Sequence, residues 1–264
     1  MAASALTVTV LGTGTSQGIP VIGCRCPVCS SDDPRDRRLR TSVMLSSGST
    51  RIVIDIGPDF RQQLLTAGVD DVDAILLTHE HNDHVSGLDE IRPINFIRKK
   101  DIPVFGQRRV LKELTLRFPY VFDVNSEYPG RPKVNLVEIN TEVFTVGDIE
   151  VRPIRIMHGP LPILGYRVGD FCYITDAKTI APEELDKLRG LDTLIINALH
   201  RRPHFSHLNL KEATDLIAHI GPRQAYLTHL SHDMGRHAAV ESELPAAIRL
   251  AYDGQVLQMS PFDE

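Results

Sequence analysis

The run Ala74-Ile75-Leu76-Leu77, followed at once by Thr78-His79-Glu80-His81-Asn82-Asp83-His84, constrains this chain more than any other feature. A short apolar run bounded by polar residues reads as a buried strand, and core packing gives no reason to crowd His79, His81, Asp83 and His84 just past its end. Strand side chains alternate between faces, so His79 and His81 project to one side. The turn that follows can bring Asp83 and His84 round to face them. Two neighbouring metal ions can share such a loop.

The flanking pattern supplies the fold. Strands are expected at Thr7–Leu11, Ser42–Leu45, Arg51–Ile54, Ala74–Leu77 and Pro103–Phe105, with Gly12–Gly18 as a loop and residues 42–54 as a hairpin. Pro58 sits at the first turn of a helix carrying Phe60, Leu64 and Leu65, a helical stretch over Leu88–Ile97 bends near Pro93, and a helix covers Val110–Arg117. The second half repeats this order. Strands are expected at Lys133–Ile139, Glu142–Val146, Glu150–Ile156, Gly165–Val168, Cys172–Thr175, Thr193–Asn197, Gln224–Leu227 and Gln255–Gln258. Helices are expected at Pro182–Leu188, Leu210–Ile220 and Ala239–Leu250. Strand-rich halves that each finish in helices predict an α/β fold of two sheets packed face to face with helices outside. The Pro/Gly/Asn/Ser-rich stretch Tyr120–Pro132 is the best boundary between halves, although residues 1–264 read as one domain.

With 264 residues, 42% hydrophobic and 24% charged, the chain can bury a substantial core. A formal net charge of −5 argues against broad electrostatic binding of nucleic acid. An anionic substrate must then be held by metal or by a few placed arginines. Four cysteines are too few for a disulfide scaffold, which favours a reducing compartment. The N-terminus lacks the marks of a signal peptide and no apolar run approaches the length of a membrane span, so the expected location is the cytoplasm.

Further metal-ligating side chains stand just past later strands: His158 after Ile156, Asp176 after Cys172–Thr175, and His229 after Ala225–Thr228. A ligand there is held by a rigid element yet reaches solvent. Singly, each would read as a cap or a hydrogen-bonded loop residue. Their shared placement gives the joint reading its weight.

His79-Glu80-His81-Asn82-Asp83-His84 fits the HxHxDH signature of the metallo-β-lactamase superfamily, and His158, Asp176 and His229 follow in that superfamily's order. The resemblance implies an αββα sandwich with a two-metal site at the edge where the sheets meet. It implies His79, His81 and His158 around one ion, Asp83, His84 and His229 around the other, and Asp176 bridging. Zinc, manganese and iron all suit such ligands. A hydroxide held between two divalent ions attacks a phosphodiester without a protein nucleophile. Gly12-Thr13-Gly14-Thr15 lacks the lysine and spacing of a P-loop and reads as a turn packed under the site.

Cys24, Cys26 and Cys29 give C-x-C-x2-C, enough thiolates for a tetrahedral structural zinc that needs one more ligand, and His232 is the choice for it. Cys172, inside an apolar strand, reads as core. Leu11–Pro20 followed by this triplet resembles the phosphoribosyl 1,2-cyclic phosphate phosphodiesterases (PhnP-like) of the carbon–phosphorus lyase pathway, which carry an extra structural zinc and open a cyclic ribose phosphate. By that resemblance His207, in Phe205-Ser206-His207-Leu208-Asn209-Leu210, is a catalytic histidine that stabilises charge on phosphorus or protonates the leaving oxygen. His200 and His204 read as exposed loop histidines. The run Arg35–Arg40 reads as a solvated face, and Arg201 and Arg202 have the better claim to a second phosphate.

The expected function is a binuclear metal phosphodiesterase acting on a small cyclic ribose phosphate or nucleotide, with room for a homodimer. Its first rival is a nuclease resembling tRNA 3′-end processing enzymes, against which stands the lack of a long basic Gly/Pro-rich insertion. An iron-dependent oxidoreductase of the flavodiiron type normally replaces the second histidine of the loop by glutamate, and His81 is retained. The pyrroloquinoline quinone biosynthesis B protein shares the fold and a cysteine triplet, but its surrounding sequence matches poorly. A non-catalytic zinc scaffold would not need the full ligand set.

Overall fold

Apolar and β-branched residues dominate the first strands, β1 (Thr7–Gly12), β2 (Ser42–Ser47) and β3 (Thr50–Ile54), as a pleated, buried surface favours. The computed structural model describes residues 5–123 and 130–259. β2 and β3 form the expected hairpin, in register from Val43↔Ile54 to Ser47↔Thr50. The chain then runs through α1 (Phe60–Ala67), β4 (Ala74–Leu76) and the single turn α2 (Asn82–Val85), with a 3₁₀ turn at Leu88–Ile91 leading into α3 (Arg92–Arg98). Pro93 lies in the first turn of α3, where its missing N–H costs nothing, so the expected bend is a junction between two helical segments. β5 (Ile102–Gly106), α4 (Arg108–Arg117), α5 (Pro119–Phe122) and β6 (Val134–Glu138) complete this half. Of the suggested boundary Tyr120–Pro132, residues 124–129 lie outside the described residues.

The second half comprises β7 (Phe144–Val146), β8 (Ile149–His158), β9 (Leu161–Val168), β10 (Phe171–Ile174), α6 (Pro182–Leu185), β11 (Thr193–Asn197), α7 (Leu210–Ile220), β12 (Gln224–Thr228), α8 (His237–Glu243), β13 (Ile248–Leu250) and β14 (Val256–Gln258). Two 7-stranded sheets result, ordered β14-β1-β2-β3-β4-β5-β6 and β13-β12-β11-β10-β9-β8-β7. β14 crosses back to pair antiparallel with β1, so the last strand belongs to the first sheet.

Three apolar clusters define the layers. One lies between the sheets and joins Val8, Leu45 and Ile54 to Tyr166, Tyr173 and Ile195. A second packs Ile196, Leu227 and Leu194 against Ala213 and Ile217 of α7 and Val240 of α8. The third packs Val53, Ile75 and Val104 against Phe60 of α1, Ile94 of α3 and Leu111 of α4. Helices cover the outer face of each sheet, giving the expected αββα sandwich. No described helix is long and apolar enough to cross a membrane.

Three expectations need correction. The helix over Ala239–Leu250 stops at Glu243, because Pro245 cannot continue it, and Ile248–Leu250 instead adds β13 in parallel to β12. The strand expected from Gly165 begins at Leu161, since Pro162 needs no ladder donor there. The basic run Arg35–Arg40 is not wholly a solvated face. Arg38 is buried and donates to Thr13 Oγ1 (2.8 Å) and the Ala251 carbonyl (2.7 Å), with His237 Nδ1 at 3.0 Å.

Candidate metal centre

The carboxyl ends of β4, β8, β10 and β12 meet at one edge of the sandwich and bring together the groups that stand far apart in sequence. His79, His81, His158 and Asp176 form one group, and Asp83, His84, Asp176 and His229 another; within each, the possible ligand atoms lie within 4.8 Å of one another. Asp176 belongs to both groups. Its Oδ2 faces His79 Nε2 (3.8 Å) and His158 Nε2 (3.9 Å), and its Oδ1 faces His84 Nε2 (3.6 Å) and His229 Nε2 (3.2 Å). Asp83 Oδ2 closes the second group at 3.2 Å from His84 Nε2 and 3.6 Å from His229 Nε2. Each sequence-expected residue of the loop and the later strands is therefore present at this edge.

The donor set suits divalent cations. His84 Nε2 and His229 Nε2 are buried without a well-directed hydrogen bond among the described residues. Leaving such atoms unpaired costs about 1–3 kcal/mol each, which a bound cation would offset. Burial works against charge on Asp83 and Asp176, but the neighbouring imidazoles outweigh it and hold both carboxyls below their ordinary range. Burial lowers His79, the neutral form that ligates a metal. Burial also opposes charge on His84, yet Asp83, Asp55 and Asp176 raise it, so a divalent ion would compete with a proton there.

Backbone strain is concentrated at this edge. Asp55, Asp176 and His229 adopt φ of 64°, 56° and 57°, a left-handed conformation that costs a non-glycine residue on the order of 1 kcal/mol or more. Gly57 fits the loop because a Cβ there would collide with the Asp83 carbonyl. Asp55, which was not singled out from the sequence, organises the ligands from beneath. It is fully buried, accepts from the Thr78 N–H (2.8 Å) and Thr78 Oγ1 (2.8 Å), and lies 2.7 Å from His84 Nδ1. Thr78 Oγ1 in turn lies 3.0 Å from His79 Nδ1, and His158 Nδ1 lies 2.8 Å from the Ser206 carbonyl. These outer bonds leave the Nε2 atoms of His79, His84 and His158 turned toward the site. An acid after a strand is a weak sequence signal, and nothing local links it to a histidine so much later.

His207 borders both groups, its ring centroid 4.6 Å from that of His158 and 4.9 Å from that of His229, with Nδ1 3.9 Å from Asp176 Oδ2. Burial pushes this ring down to about 3, against the opposing pull of Asp176, so it is neutral at pH 7 and still offers an N–H. His200 and His204 are half-buried rather than exposed, and the His204 ring lies 5.0 Å from that of His207. Arg201 is paired with Glu243 and Arg202 with Asp233, so neither is held toward the metal groups.

The cysteine triplet meets His232 as the sequence suggested. His232 Nδ1 lies 3.3, 3.4 and 3.6 Å from the Sγ atoms of Cys24, Cys26 and Cys29. A tetrahedron with metal–sulfur bonds of about 2.3 Å and a metal–nitrogen bond of about 2.0 Å has edges of roughly 3.5 Å, so this group could hold a zinc. The Cys29 N–H donates to Cys26 Sγ, and this bond leads in lowering Cys26 to about 6. Burial raises Cys29 to about 11. The Gly12–Gly18 loop braces the segment joining the two metal-binding regions, since Leu230 N–H donates to the Thr13 carbonyl (2.9 Å) and Thr15 N–H to the Leu230 carbonyl (3.0 Å).

Comparison with known proteins agrees with this geometry. Residues 50–230 match the model of the β-lactamase superfamily domain. A crystal structure described as a new diphosphatase from the PhnP family superposes with a TM-score of 0.91 at 38% identity, covering 97% of this chain and 98% of that one. A Porphyromonas gingivalis protein named octanoyltransferase is 46% identical over 248 residues, 93% of this chain but 50% of that protein. The coenzyme PQQ synthesis protein B of Methylobacterium radiotolerans is 33% identical over 134 residues, 46% of this chain and 42% of that protein. The chain thus spans about half the length of these two curated relatives. By its fold, its matched superfamily region and its likeness to the PhnP-family structure, the chain belongs to the metallo-β-lactamase superfamily.

Proposed function

We propose that this protein is a binuclear metal phosphodiesterase acting on a small substrate whose phosphorus carries two oxygen-linked groups, a cyclic ribose phosphate or a cyclic nucleotide. The observation that carries the reading is Asp176, each of whose oxygens faces a different imidazole group, with the buried His207 ring at their common border. His79, His81 and His158 would hold one divalent ion and Asp83, His84 and His229 the other, with Asp176 belonging to both groups. When bound, the ions supply a nucleophile at neutral pH and neutralise charge on a phosphoryl oxygen. His207 places its N–H where charge gathers on phosphorus or the leaving oxygen. Asp55 and Thr78 hold the ligand tautomers. The cysteine group with His232 holds a structural zinc.

A diphosphate is the second reading, favoured by the description of the PhnP-family structure as a diphosphatase. Its reacting phosphorus also carries two oxygen-linked substituents, so the same residues serve it. The test is a screen, with zinc, manganese or iron added back, of ribose 1,2-cyclic phosphate, 2′,3′- and 3′,5′-cyclic nucleotides, a dinucleoside diphosphate, a tRNA precursor and an octanoyl thioester. Fastest turnover of a cyclic phosphodiester supports the proposal. Faster turnover of the diphosphate favours the second reading, and preference for RNA or the thioester contradicts both.

A further inference from the structure

We infer that Arg109 is a positioning residue that sets the separation between His79–His81 and His158, and with it the affinity of the first metal group. This rests on the reading that those histidines hold an ion. β9 is joined to the loop rung by rung: Tyr166 Oη donates to the Leu77 carbonyl (2.6 Å) and Leu164 N–H donates to the Thr78 carbonyl (3.1 Å). The next alternate residue of β9 is Pro162, which has no N–H to donate to the loop. Arg109, on α4, bridges that gap: its Nη2 donates to the Pro162 carbonyl (2.6 Å) and its Nη1 donates to the Glu80 carboxylate.

Both partners lie beside ligands. Glu80 stands between His79 and His81, and Leu161, next to Pro162, is paired with His158 across the β8–β9 hairpin. One guanidinium therefore ties the ligand segment of the first sheet to that of the second. The second Glu80 oxygen, Oε2, is buried with no other hydrogen-bond partner among the described residues, which leaves Arg109 as the group that neutralises this carboxylate. Farther along α4, Arg117 Nη1 donates to Asn82 Oδ1 (2.7 Å), so the same helix holds the loop at a second point. An ordinary surface ion pair is worth about 0–1 kcal/mol and would leave metal affinity unchanged. A clamp on the spacing of the ligands predicts a site-selective loss.

The test is titration with Mn²⁺, with the cysteine group left loaded with zinc and free Mn²⁺ read by electron paramagnetic resonance. The parent is expected to bind two ions. Arg109→Met should bind one with parental affinity and the other several-fold more weakly, less than the roughly 10- to 100-fold that follows loss of a group bonded directly to a metal ligand. Arg109→Lys, which keeps the charge but not the forked geometry, should fall between. Added to His158→Ala, Arg109→Met should leave the remaining ion unaffected, and in the single variant saturating Mn²⁺ should restore turnover. Parental affinity at both sites in Arg109→Met overturns the inference. Equal weakening of both sites, with a lower melting temperature, assigns a general structural role and also overturns it. A parent that binds fewer than two Mn²⁺ ions sinks the binuclear reading, and the inference with it.

Discussion

Replacing Asp55 by Asn should weaken both metal groups at once, although of the candidate ligands Asp55 meets His84 directly and reaches His79 through Thr78. Asp55 Oδ2 accepts from Thr78 Oγ1 (2.8 Å) and lies 2.7 Å from His84 Nδ1, so that Nδ1 carries a hydrogen and Nε2 is the nitrogen that gives up its proton to an ion. Thr78 spends its hydroxyl hydrogen on Asp55 and can only accept from His79 Nδ1 at 3.0 Å, which leaves His79 Nε2 bare. In the asparagine variant an NH₂ group in place of Oδ2 meets both partners as a donor. The His84 hydrogen then moves to Nε2, and Thr78 donates to His79, moving that ring's hydrogen to Nε2 too. The opposite amide orientation would set NH₂ against the buried Thr78 N–H, at a cost of about 1–3 kcal/mol. Each reversed tautomer should weaken its ion by roughly 10- to 100-fold, or about 1.4–2.8 kcal/mol. Calorimetric titration with Zn²⁺ beside the parent reads both sites. Parental affinity at both would refute the reasoning, and loss at the His84 site alone would refute the relay through Thr78.

His207→Ala should keep both ions and lose about a hundredfold in turnover, the scale for removing one hydrogen-bond donor to developing charge. A nitrophenyl phosphodiester that loses as much assigns charge stabilisation, a smaller loss assigns leaving-group protonation, and parental turnover removes the role. Cys26→Ser should release one zinc and lower the melting temperature while turnover per folded molecule stays near parental; retention of all zinc at the parental melting temperature contradicts the structural site. Asp253 supplies a pH dependence. Burial raises its carboxyl from 3.8 to about 6, against the bond from Thr13 Oγ1 at 2.7 Å. The folded state holds this proton more tightly than the unfolded chain, so its stabilising contribution is full below pH 4 and is lost as pH rises to 6. The stability difference between the parent and Asp253→Asn should therefore shift against the parent by about 2 kcal/mol between pH 4.5 and 7. A difference that does not change with pH contradicts it.

The candidate ligands His79, His81, Asp83, His84, His158, Asp176 and His229 were legible because each is an imidazole or carboxylate at or just past a strand end and because their order resembles that of the metallo-β-lactamase superfamily. The cysteine triplet was legible from its spacing. Asp55 was not, because its partner His84 comes from a different turn and only the parallel pairing of β3 with β4 brings them together. Arg109 reads as one more helix-surface arginine until β9 is laid beside the metal loop. Arg38 reads as solvated in an arginine-rich run, whereas tertiary packing buries it against Thr13 and the Ala251 carbonyl. The helix over-extended to Leu250 shows apolar residues that fit either period; Pro245 decides between them, and the parallel edge of β12 uses the remainder as a strand.

We propose that the two metal groups, with Asp176 shared between them, serve hydrolysis at phosphorus. This proposal is tested most directly by the initial rate of ribose 1,2-cyclic phosphate hydrolysis against equivalents of added metal, for the parent and for Asp83→Ala. Asp83 Oδ2 lies 3.2 Å from His84 Nε2 and 3.6 Å from His229 Nε2, so its loss should remove the second ion without unfolding the chain. The account predicts that the parent's rate climbs until the active site holds two ions, and that folded Asp83→Ala stays inactive at any metal concentration. Full activity in metal-free parent, or near-parental turnover by Asp83→Ala with two ions bound, would contradict it.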